Sequence, residues 1–244
     1  MEKDPLCSVL ITTHNSANFI EHTIESVFWQ TFFDREILIV DNDSTDNTRK
    51  TLERHKSLDK RIKTYKSETN LWPFGGLNFL LKKAKGKYIA ILDHDDIRHP
   101  DKLTAQIDLM DKNNHYIWCW STFIDIREGE NFCKYELFSL KNVVMHSSLV
   151  FRNLWYRYDN ALKIHCDRSF MLRTLAKDGD IFKINKALVL RRMRNNWENV
   201  SKAWSMRSVS WLFSSRRIRW IAWYEYLYNI FVLDMKNSIK YLYV

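Results

Sequence analysis

Three short polar clusters in the sequence carry side chains that can bind a ribose, a phosphate or a metal ion. The most acidic cluster, residues 93–96, places three carboxylates within four positions, and like charges this close repel unless a cation lies between them. Mg²⁺ or Mn²⁺ would relieve this repulsion, because these ions bind through one or two carboxylates and the phosphates of a substrate. The alternative for this cluster is a solvated acidic turn in front of a helix. The clusters are His14 and Asn15; Asp41, Asn42 and Asp43; and Asp93, His94, Asp95 and Asp96.

Each cluster directly follows a stretch that the sequence predicts to be a buried strand. Apolar, β-branched runs predict strands over residues 7–13, 36–40 and 87–92, with a weaker strand over 62–65. Between them apolar residues recur with a helical period, beginning at Ile20. Strands that alternate with helices predict a mostly parallel sheet, and ligands bind outside the carboxyl ends of such strands. The three clusters are therefore expected to converge on one crevice.

Proline and glycine predict the bounds of the third helix. A loop containing Pro73, Gly75 and Gly76 is predicted to lead into a helix that runs through Ala84. Gly86 is predicted to end that helix, directly before the strand over residues 87–92.

Asp41 and His14 each have two interpretations. An acidic residue at the end of a buried strand can hydrogen-bond a ribose or a base edge, whereas Asp41 could instead cap the helix that follows. His14 is either a ligand-binding residue or an ordinary histidine of a surface loop.

The composition is that of a folded, basic chain. Its 244 residues are 45% hydrophobic and 27% charged, which excludes a disordered or fibrous protein. A formal net charge of +9 favours an anionic partner such as a nucleotide, a polyanion or a lipid surface. The sequence lacks the glycine-rich motifs of dinucleotide-binding dehydrogenases and P-loop enzymes, and the GxSxG elbow of α/β-hydrolases, which argues against these three classes.

Cysteine usage and apolar patterning predict where the protein works. The four cysteines form no CxxC pair, which argues against a cysteine zinc site, and in a domain of this size they predict reduced thiols. The polar first five residues predict no signal peptide, and no apolar run is long enough to span a bilayer. We therefore expect a soluble or peripheral protein, in the cytoplasm or on the inner face of the plasma membrane.

Three segments, taken together, resemble the inverting family 2 glycosyltransferases of GT-A fold. They are SVLITTHNSANFIEHTIESVFWQT, EILIVDNDSTDNT and AKGKYIAILDHDDIRHPDKL, in the order and spacing of the family. The corresponding family pattern is roughly P-T-Y-N, then V-D-D-G-S-T-D, then A-x-G-x-Y-I-x-x-L-D-x-D-D. The resemblance implies a GT-A fold with a mostly parallel sheet flanked by helices, a nucleotide-sugar donor, most readily a UDP-sugar, and Mg²⁺ or Mn²⁺ as cofactor.

The resemblance also assigns site residues position by position. Asp93 and Asp95 match the D-x-D pair, with Asp95 the better candidate metal ligand and Asp96 a support for the turn. An element similar to E-D-Y-x-L-x-x-R ends at Arg173 and places Asp167 at the general base for the acceptor hydroxyl, with a helix N-cap as its alternative role. The implied acceptor contacts are His146 and Ser147. The implied nucleotide-sugar contacts are Thr13, His14, Asn15, Asp41, Asn70, Asn78, Asp93, His94 and Arg194.

The chain departs from the family pattern at several positions. His14 stands where the family has Tyr, Asn42 and Asp43 replace an Asp and a Gly, and Leu77 replaces a common Arg. Arg194 replaces a His and could still pair with phosphate oxygens. The departures leave the donor open between UDP-, dTDP- and GDP-sugars, but they keep the metal carboxylates and the base.

Composition divides the chain into two parts. Residues 1–200 are expected to form the catalytic domain, with the nucleotide-sugar-binding half at 1–112 and the acceptor-binding half at 113–200. Residues 201–244 are expected to form a helical extension; from residue 202 onward, seven Lys or Arg stand against two acidic residues among many aromatics. Such a segment favours either an amphipathic helix on an anionic membrane or a helix packed on the domain or on a second subunit of a homodimer.

Three classes of function compete at this point. The preferred one is an inverting glycosyltransferase that acts on a glycan or lipid-linked acceptor in cell-surface polysaccharide synthesis. The second is a non-catalytic nucleotide- or nucleic-acid-binding protein, since basic charge and aromatics suit single strands. The third is a membrane interaction module that works through the extension. An acidic crevice repels phosphate in the absence of a metal, so no nucleic-acid partner is expected.

Overall fold

A computed structural model describes residues 3–128, 135–141, 144–160, 167, 169–171, 173–174 and 180–193. Within these residues the chain forms a nine-stranded sheet with helices packed on both faces. The helices are α1 (Ile20–Phe28), α2 (Thr48–Leu58), α3 (Trp72–Leu81) and α4 (Lys102–Lys112). The strands are β1 (Cys7–Thr13), β2 (Arg35–Asn42), β3 (Ile62–Ser67), β4 (Tyr88–Asp93), β5 (Ile97–Arg98), β6 (Tyr116–Glu128), β7 (Tyr135–Lys141), β8 (Val150–Arg152) and β9 (Asp180–Met193).

The first four long strands form a parallel sheet in the order β3-β2-β1-β4. Every residue of β1 and β2 is buried, because helices cover both faces of the sheet. This explains why these strands appear in the sequence as continuous apolar runs rather than as alternating patterns. The four predicted strands are confirmed, with bounds close to the expected ones.

The second half extends the same sheet in a mixed arrangement. β8 runs antiparallel to both β4 and β6, whereas β9 runs parallel to β6 over a long ladder. The two-residue strand β5 and the strand β7 add antiparallel pairs to β9 and β6. Most of the paired residues lie in parallel ladders, as the predicted fold class requires.

Two apolar layers hold the helices to the sheet. On one face α1, α2 and α4 pack against the strands, and Ile20, Ile24 and Val27 of α1 are fully buried at the expected helical spacing. On the other face α3 packs through Leu77 and Leu80 against a layer that also contains aromatic side chains of the second half. The layers fix the strand ends, and with them the loops that form the crevice.

Pro73, Gly75 and Gly76 lie inside α3 and not in a loop before it, so that prediction is wrong. Proline is compatible with the first turn of a helix, because the N–H it lacks would have no intrahelical partner there. Gly76 is used for close packing on the sheet, since a Cβ at this position would lie 2.9 Å from Cγ2 of Thr12. The helix ends at Leu81, earlier than expected.

Some of the features predicted from the sequence fall outside the described residues. They are the extension at residues 201–244, Arg194, Cys133 and Cys166. Cys7 and Cys119 are described, and both are buried with free thiols. Among the residues whose structure is described, none of the helices is long and apolar enough to cross a membrane.

Candidate active site

The carboxyl ends of β2, β1 and β4 lie side by side, which brings the three polar clusters to one edge of the sheet. The register pairs Thr13 of β1 with Asp41 of β2, and Thr12 with Asp93 of β4. Because these strands are parallel, the loops that follow them open on the same side. The predicted convergence of the three clusters is therefore confirmed.

Hydrogen bonds join the loop after β1 to the loop after β2. Asn15 has a left-handed backbone (φ 47°), which asparagine adopts more readily than most residues. Its N–H donates to Oγ of Ser44 (2.9 Å), and its Oδ1 accepts from the N–H of Thr45 (2.8 Å). A further bond runs from the N–H of Ala17 to Oδ2 of Asp46 (3.0 Å). The amide oxygen of Asn15 thus fixes the two loops as one wall of the crevice.

The remaining residues of this wall differ in exposure. Thr13 is buried and its hydroxyl is bonded within the loop. Asp41 is also buried, and its Oδ1 accepts from the N–H of Ser44 (3.1 Å) within the loop, whereas α2 begins only at Thr48 after Asn47, so Asp41 does not cap that helix. His14 is exposed, and its Nδ1 lies 2.7 Å from the carbonyl oxygen of Asn42, so Nδ1 donates and Nε2 is left as an acceptor. His14 is therefore an exposed side chain of this wall, and its Nε2 lies 3.4 Å from the side-chain amide nitrogen of Asn15.

Ser147 holds the acidic turn after β4 in shape. Its hydroxyl donates to Oδ2 of Asp96 (2.5 Å) and accepts from the N–H of Asp93 (3.0 Å). The other oxygen of Asp96 accepts from the N–H of Arg192 (3.2 Å). Ser147 is fully buried, so its side chain supports the turn and does not face an acceptor as expected. Asp96 has the supporting role that was expected of it.

The three carboxylates of the turn lie in unequal environments. Burial, reinforced by the charges of Asp93 and Asp95, raises the pKa of Asp96 well above its ordinary value. The side chain of Asp93 is 45% exposed, and Asp95 is half-buried. Two carboxylates that reach solvent two positions apart are a suitable donor set for a hard divalent cation. The residues present therefore fit Mg²⁺ or Mn²⁺, with Asp93 and Asp95 as its ligands.

His146 lies between the acidic turn and the second half of the chain. Its Nδ1 is 3.5 Å from Oδ1 of Asp93, and its Nε2 is 2.8 Å from the hydroxyl of Tyr158. Burial lowers the pKa of His146, but the hydrogen bond and charge of Asp93, with a contribution from Asp167, outweigh it and the pKa is raised. Burial raises the pKa of Asp93, but the hydrogen bond and charge of His146 hold it below its ordinary value. Each group thus favours the charged form of the other.

Asn78 fixes the segment that carries Tyr158. Its Oδ1 accepts from the N–H of Tyr158 (2.8 Å), and its Nδ2 donates to the carbonyl of Tyr158 (2.9 Å) and to Oδ1 of Asn160 (2.8 Å). The ring of Tyr158 stacks on Phe74 of α3 and on Phe170, with centroids 5.4 and 4.1 Å apart. Both donor hydrogens of the Asn78 amide are used within the chain. The position of Asn78 therefore indicates a structural contribution to the site, through Tyr158 and His146.

Asp167, the predicted general base, lies close enough to His146 for its charge to raise the pKa of that ring. Asp167 is helical and half-buried, and Phe170, one turn later on the same helix face, anchors it against Tyr158. The structure thus brings Asp167 near His146, the same ring that contacts Asp93 of the acidic turn.

Two further predicted contacts lie at the margin of the site. Oδ1 of Asn70 accepts from the N–H of Trp72 (2.8 Å) at the start of α3. The main-chain carbonyl of His94 accepts from Oγ1 of Thr23 in α1 (2.9 Å), which ties the acidic turn to that helix. Arg194 is among the residues that the structure leaves undescribed. The ligand contacts of Asn70, His94 and Arg194 stay predictions.

Sequence reasoning missed Tyr158 and Thr23, which both help to position the acidic turn. Neither lies in a recognisable motif. Tyr158 is 80 positions from Asn78, and Thr23 is 71 positions from His94. An aromatic or a threonine at one position carries no signal of a partner so distant in the chain, so only the fold reveals these contacts.

Solved structures show the same fold. TarS residues 1-349 from Staphylococcus aureus, in complex with UDP-GlcNAc, superposes with a TM-score of 0.67 and 20% identity over 82% of this chain and 61% of that chain. A mannosyltransferase from Pyrobaculum calidifontis, in complex with GDP-Man and Mn²⁺, gives a TM-score of 0.63 and 15% identity over 80% of this chain and 59% of that chain. At these identities the likeness establishes the GT-A fold.

Sequence relatives establish the family. The UDP-Glc:alpha-D-GlcNAc-diphosphoundecaprenol beta-1,3-glucosyltransferase WfgD of Escherichia coli is 43% identical over 112 residues, which are 46% of this chain and 43% of that protein. The chain spans between 39% and 43% of the length of three of the curated relatives that it matches. The sequence profile of glycosyl transferase family 2 matches residues 8–176, which is more than half of the chain. The chain therefore belongs to glycosyl transferase family 2. Its mostly parallel sheet, the hydrogen-bonded loops after β1 and β2 and the acidic turn after β4 are the features of its candidate site.

Proposed function

We propose that the protein is an inverting glycosyltransferase that moves a sugar from a nucleotide-sugar donor to a hydroxyl of a glycan or lipid-linked acceptor in cell-surface polysaccharide synthesis. The observation that carries this proposal is the juxtaposition, around His146, of Asp93 in the acidic turn and Asp167. A transferase of this kind needs a cation-binding carboxylate for the leaving diphosphate and a base for the acceptor. The name of the Escherichia coli relative, a UDP-glucose-dependent enzyme with a lipid-diphosphate acceptor, supports a UDP-sugar donor.

Asp95 and Asp93 would hold Mg²⁺ or Mn²⁺ in this proposal. The structural neighbour from Pyrobaculum calidifontis, which was solved with GDP-Man and Mn²⁺, supports this assignment. A divalent cation at this place supplies charge stabilisation for the leaving nucleoside diphosphate. Ser147 and Asp96 keep the turn in the shape that points the two ligands outward.

The residues of the chain perform the rest of the reaction. The wall formed by His14, Asn15 and Asp41 receives the nucleoside of the donor. Asp167 takes the proton from the acceptor hydroxyl, whose oxygen forms a bond to the anomeric carbon as the bond from that carbon to the diphosphate oxygen breaks. Attack on the face opposite the leaving group inverts the configuration in one displacement. His146 contacts Asp93 and thereby fixes the position of that carboxylate.

Donor binding tests the proposal directly. Thermal shift and donor hydrolysis are measured for the full chain with UDP-, dTDP- and GDP-sugars, in Mn²⁺, Mg²⁺ or EDTA. We expect a shift that requires both a metal and one nucleotide, and that is lost in Asp95→Asn. The matched control is Asp108→Asn, an exposed position of α4, which should keep the shift. A shift that EDTA does not affect, or none with any nucleotide sugar, would contradict the metal-site assignment.

The proposed roles follow the proposed division of the chain. Residues 1–112 bind the donor and residues 113–200 supply the base and the acceptor surface. The basic, aromatic segment from residue 201 holds the enzyme at the inner face of the plasma membrane or joins a second subunit. The expected cytoplasmic location and a lipid-linked acceptor are compatible with this arrangement, since both substrates then meet at the membrane surface.

A further inference from the structure

A second group of metal-ligating side chains lies away from the crevice, between α1 and α2. One carboxylate oxygen each of Glu21 and Glu25 and one ring nitrogen of His55 lie within 4.8 Å of one another. Glu21 and Glu25 are four positions apart in α1, so they project from the same helix face. His55 belongs to α2 and faces them. Among the described residues, this is the only group of three or more such ligands that lie this close together.

The hydrogen bonding of His55 leaves one of its ring nitrogens available to a metal. Its ring is 3% exposed, and Nδ1 lies 2.9 Å from the carbonyl oxygen of Thr51. Nδ1 therefore carries a hydrogen, and Nε2 is the ring nitrogen that can offer a lone pair to a metal. No residue of the described part of the chain makes a hydrogen bond to Nε2. The carbonyl of Thr51 also fixes the ring orientation, as the outer partner of a metal-bound histidine does.

The charges of the group are incompletely balanced. Oε1 of Glu21 forms an ion pair with Arg54 (2.5 Å), in which both side chains are about half exposed. Glu25 has no ion pair within the described residues. Two carboxylates four positions apart on a helix repel each other, which destabilises the helix unless a cation lies between them. One carboxylate is thus left to attract a cation beside Nε2 of His55.

We propose that Glu21, Glu25 and His55 form a zinc site that joins α1 to α2. One imidazole and two carboxylates are a ligand set that suits Zn²⁺, whereas Mg²⁺ and Ca²⁺ prefer oxygen ligands alone. In a tetrahedral zinc site the ligand atoms are about 3.4 Å apart, so the three side chains need to close by roughly 1 Å. The two glutamates can do so by rotating their flexible side chains, and water completes the coordination.

The position of the site indicates its effect. α1 follows the loop that carries His14 and Asn15, and α2 follows the loop after Asp41. An ion that joins the two helices stabilises the loops that precede them, which form the wall of the crevice. It does not contact the donor. Zinc is therefore expected to raise the thermal stability of the chain and to leave the metal dependence of donor binding unchanged.

The test uses the full chain, stripped of metal, in the Asp95→Asn background so that the crevice carboxylates do not contribute. Calorimetric titration with Zn²⁺ is expected to show one equivalent bound, and titration with Mg²⁺ none. Glu25→Gln, at an exposed position that tolerates the change, should weaken zinc binding by at least about tenfold. The matched control is Glu53→Gln, an exposed glutamate of α2 outside the group, which should bind zinc as the parent does.

Two outcomes would overturn the proposal. The first is the absence of zinc binding in the parent. The second is zinc binding of unchanged affinity in both Glu25→Gln and His55→Gln, which would place the ion elsewhere. Because Glu25 is exposed, its variant reports on the site even if replacement of the buried His55 prevents folding.

Discussion

The three carboxylates of the acidic turn have different chemical roles because each has different neighbours. Asp96 is bonded to Ser147 and to the main chain of Arg192, and its buried carboxyl resists ionisation. Asp93 is held in its charged form by His146 and remains accessible. The sequence predicted the turn because all its members lie within four positions. The family resemblance ranked them, with Asp96 as the support for the turn, but the neighbours that give each carboxylate its environment are far away in the chain and are visible only in the fold.

Asp167 is expected to act on the acceptor and not on the donor. Asp167→Asn removes the base while keeping the size of the side chain, so turnover should fall by about 10²- to 10⁴-fold. Donor affinity and its metal dependence should stay at the parental level. Steady-state kinetics and a donor thermal shift measured on the same preparation check both parts. Equal loss of donor binding and turnover would assign Asp167 to the donor site or to the fold.

Tyr158 is expected to act through His146 as a positioning residue. Tyr158→Phe removes the hydroxyl that lies 2.8 Å from Nε2 of His146, and the ring then holds Asp93 less firmly. The Mn²⁺ concentration needed for half-maximal donor binding should rise several-fold, up to about tenfold. Tyr156→Phe removes a hydroxyl from the same segment and is the matched control. The two variants behaving alike would argue against the Tyr158–His146–Asp93 connection.

At the scale of elements, glycines show where a helix or turn approaches the sheet too closely for a side chain. At Gly86, before β4, a Cβ would lie 2.5 Å from the main-chain nitrogen of Ser8 and 2.7 Å from the carbonyl carbon of Cys7. At Gly75, in α3, the nearest atom is Cβ of Leu71 at 3.3 Å. The sequence showed both glycines as helix-breaking residues, but their packing is visible only in the assembled sheet.

Gly86→Ala is expected to destabilise the protein by about 1–3 kcal/mol, because the backbone of β1 has to move to admit the methyl group. Gly75→Ala makes the same chemical change within a helix, where alanine gains about 1 kcal/mol of helix propensity over glycine. It should therefore be close to neutral or stabilising. Urea unfolding of both variants measures the difference. A Gly86→Ala variant as stable as the parent would contradict the close approach.

The stability that the contact between β4 and α4 contributes should depend on pH. Oδ1 of Asp111 accepts hydrogen bonds from Nζ of Lys87 (2.5 Å) and from the hydroxyl of Tyr88 (2.6 Å). Burial raises the pKa of Asp111, but the hydrogen bonds from Lys87 and Tyr88 outweigh it and hold the pKa below its ordinary value of 3.8. The folded state thus binds this proton less readily than the unfolded state. The resulting stability is fully present above pH 3.8 and is lost as the pH falls through the lower folded value.

Asp111→Asn should therefore cost at most about 1 kcal/mol at pH 7, since Lys87 and Asp111 are 50% and 39% exposed and solvent screens their attraction. The difference from the parent should disappear toward the most acidic conditions in which the chain still folds. Denaturant unfolding at several pH values measures it. Asp108→Asn, at an exposed position of the same helix, is the control. A difference that does not change with pH would exclude the ion pair as its source.

At the scale of the whole molecule, the first half was more predictable than the second. The strands β1 to β4 are apolar runs separated by helical periods, and β1, β2 and β3 are neighbours both in the chain and in the sheet. The sequence analysis assigned no strands to the second half, where β8 and β9 reach partners far along the chain and where the antiparallel pairs have short ladders. The family resemblance supplied Asp167 and His146, but only the fold shows that they are near enough to interact electrostatically.

The basic extension is expected to attach the whole molecule to anionic membranes. From residue 202 onward the seven Lys or Arg outnumber two acidic residues, and Arg216, Arg217 and Arg219 lie among aromatic residues. The full chain should sediment with anionic vesicles and not with neutral ones, and binding should fall with added salt. Replacing the three arginines by Gln should abolish it. Lack of vesicle binding together with a dimer in light scattering would support contact with a second subunit instead.

The two hydrogen bonds of Ser147 have a consequence for the order in which the protein is made. A chain that has emerged from the ribosome as far as residue 112 already contains β1 to β5 and the helices α1 to α4, and the early part of a chain can fold before the rest is synthesised. The turn that carries Asp93 and Asp96 is held by Ser147, which lies 54 residues after Asp93 and 51 residues after Asp96. A nascent chain thus builds the nucleoside wall first, and its cation-binding carboxylates gain their final shape only when residue 147 has emerged.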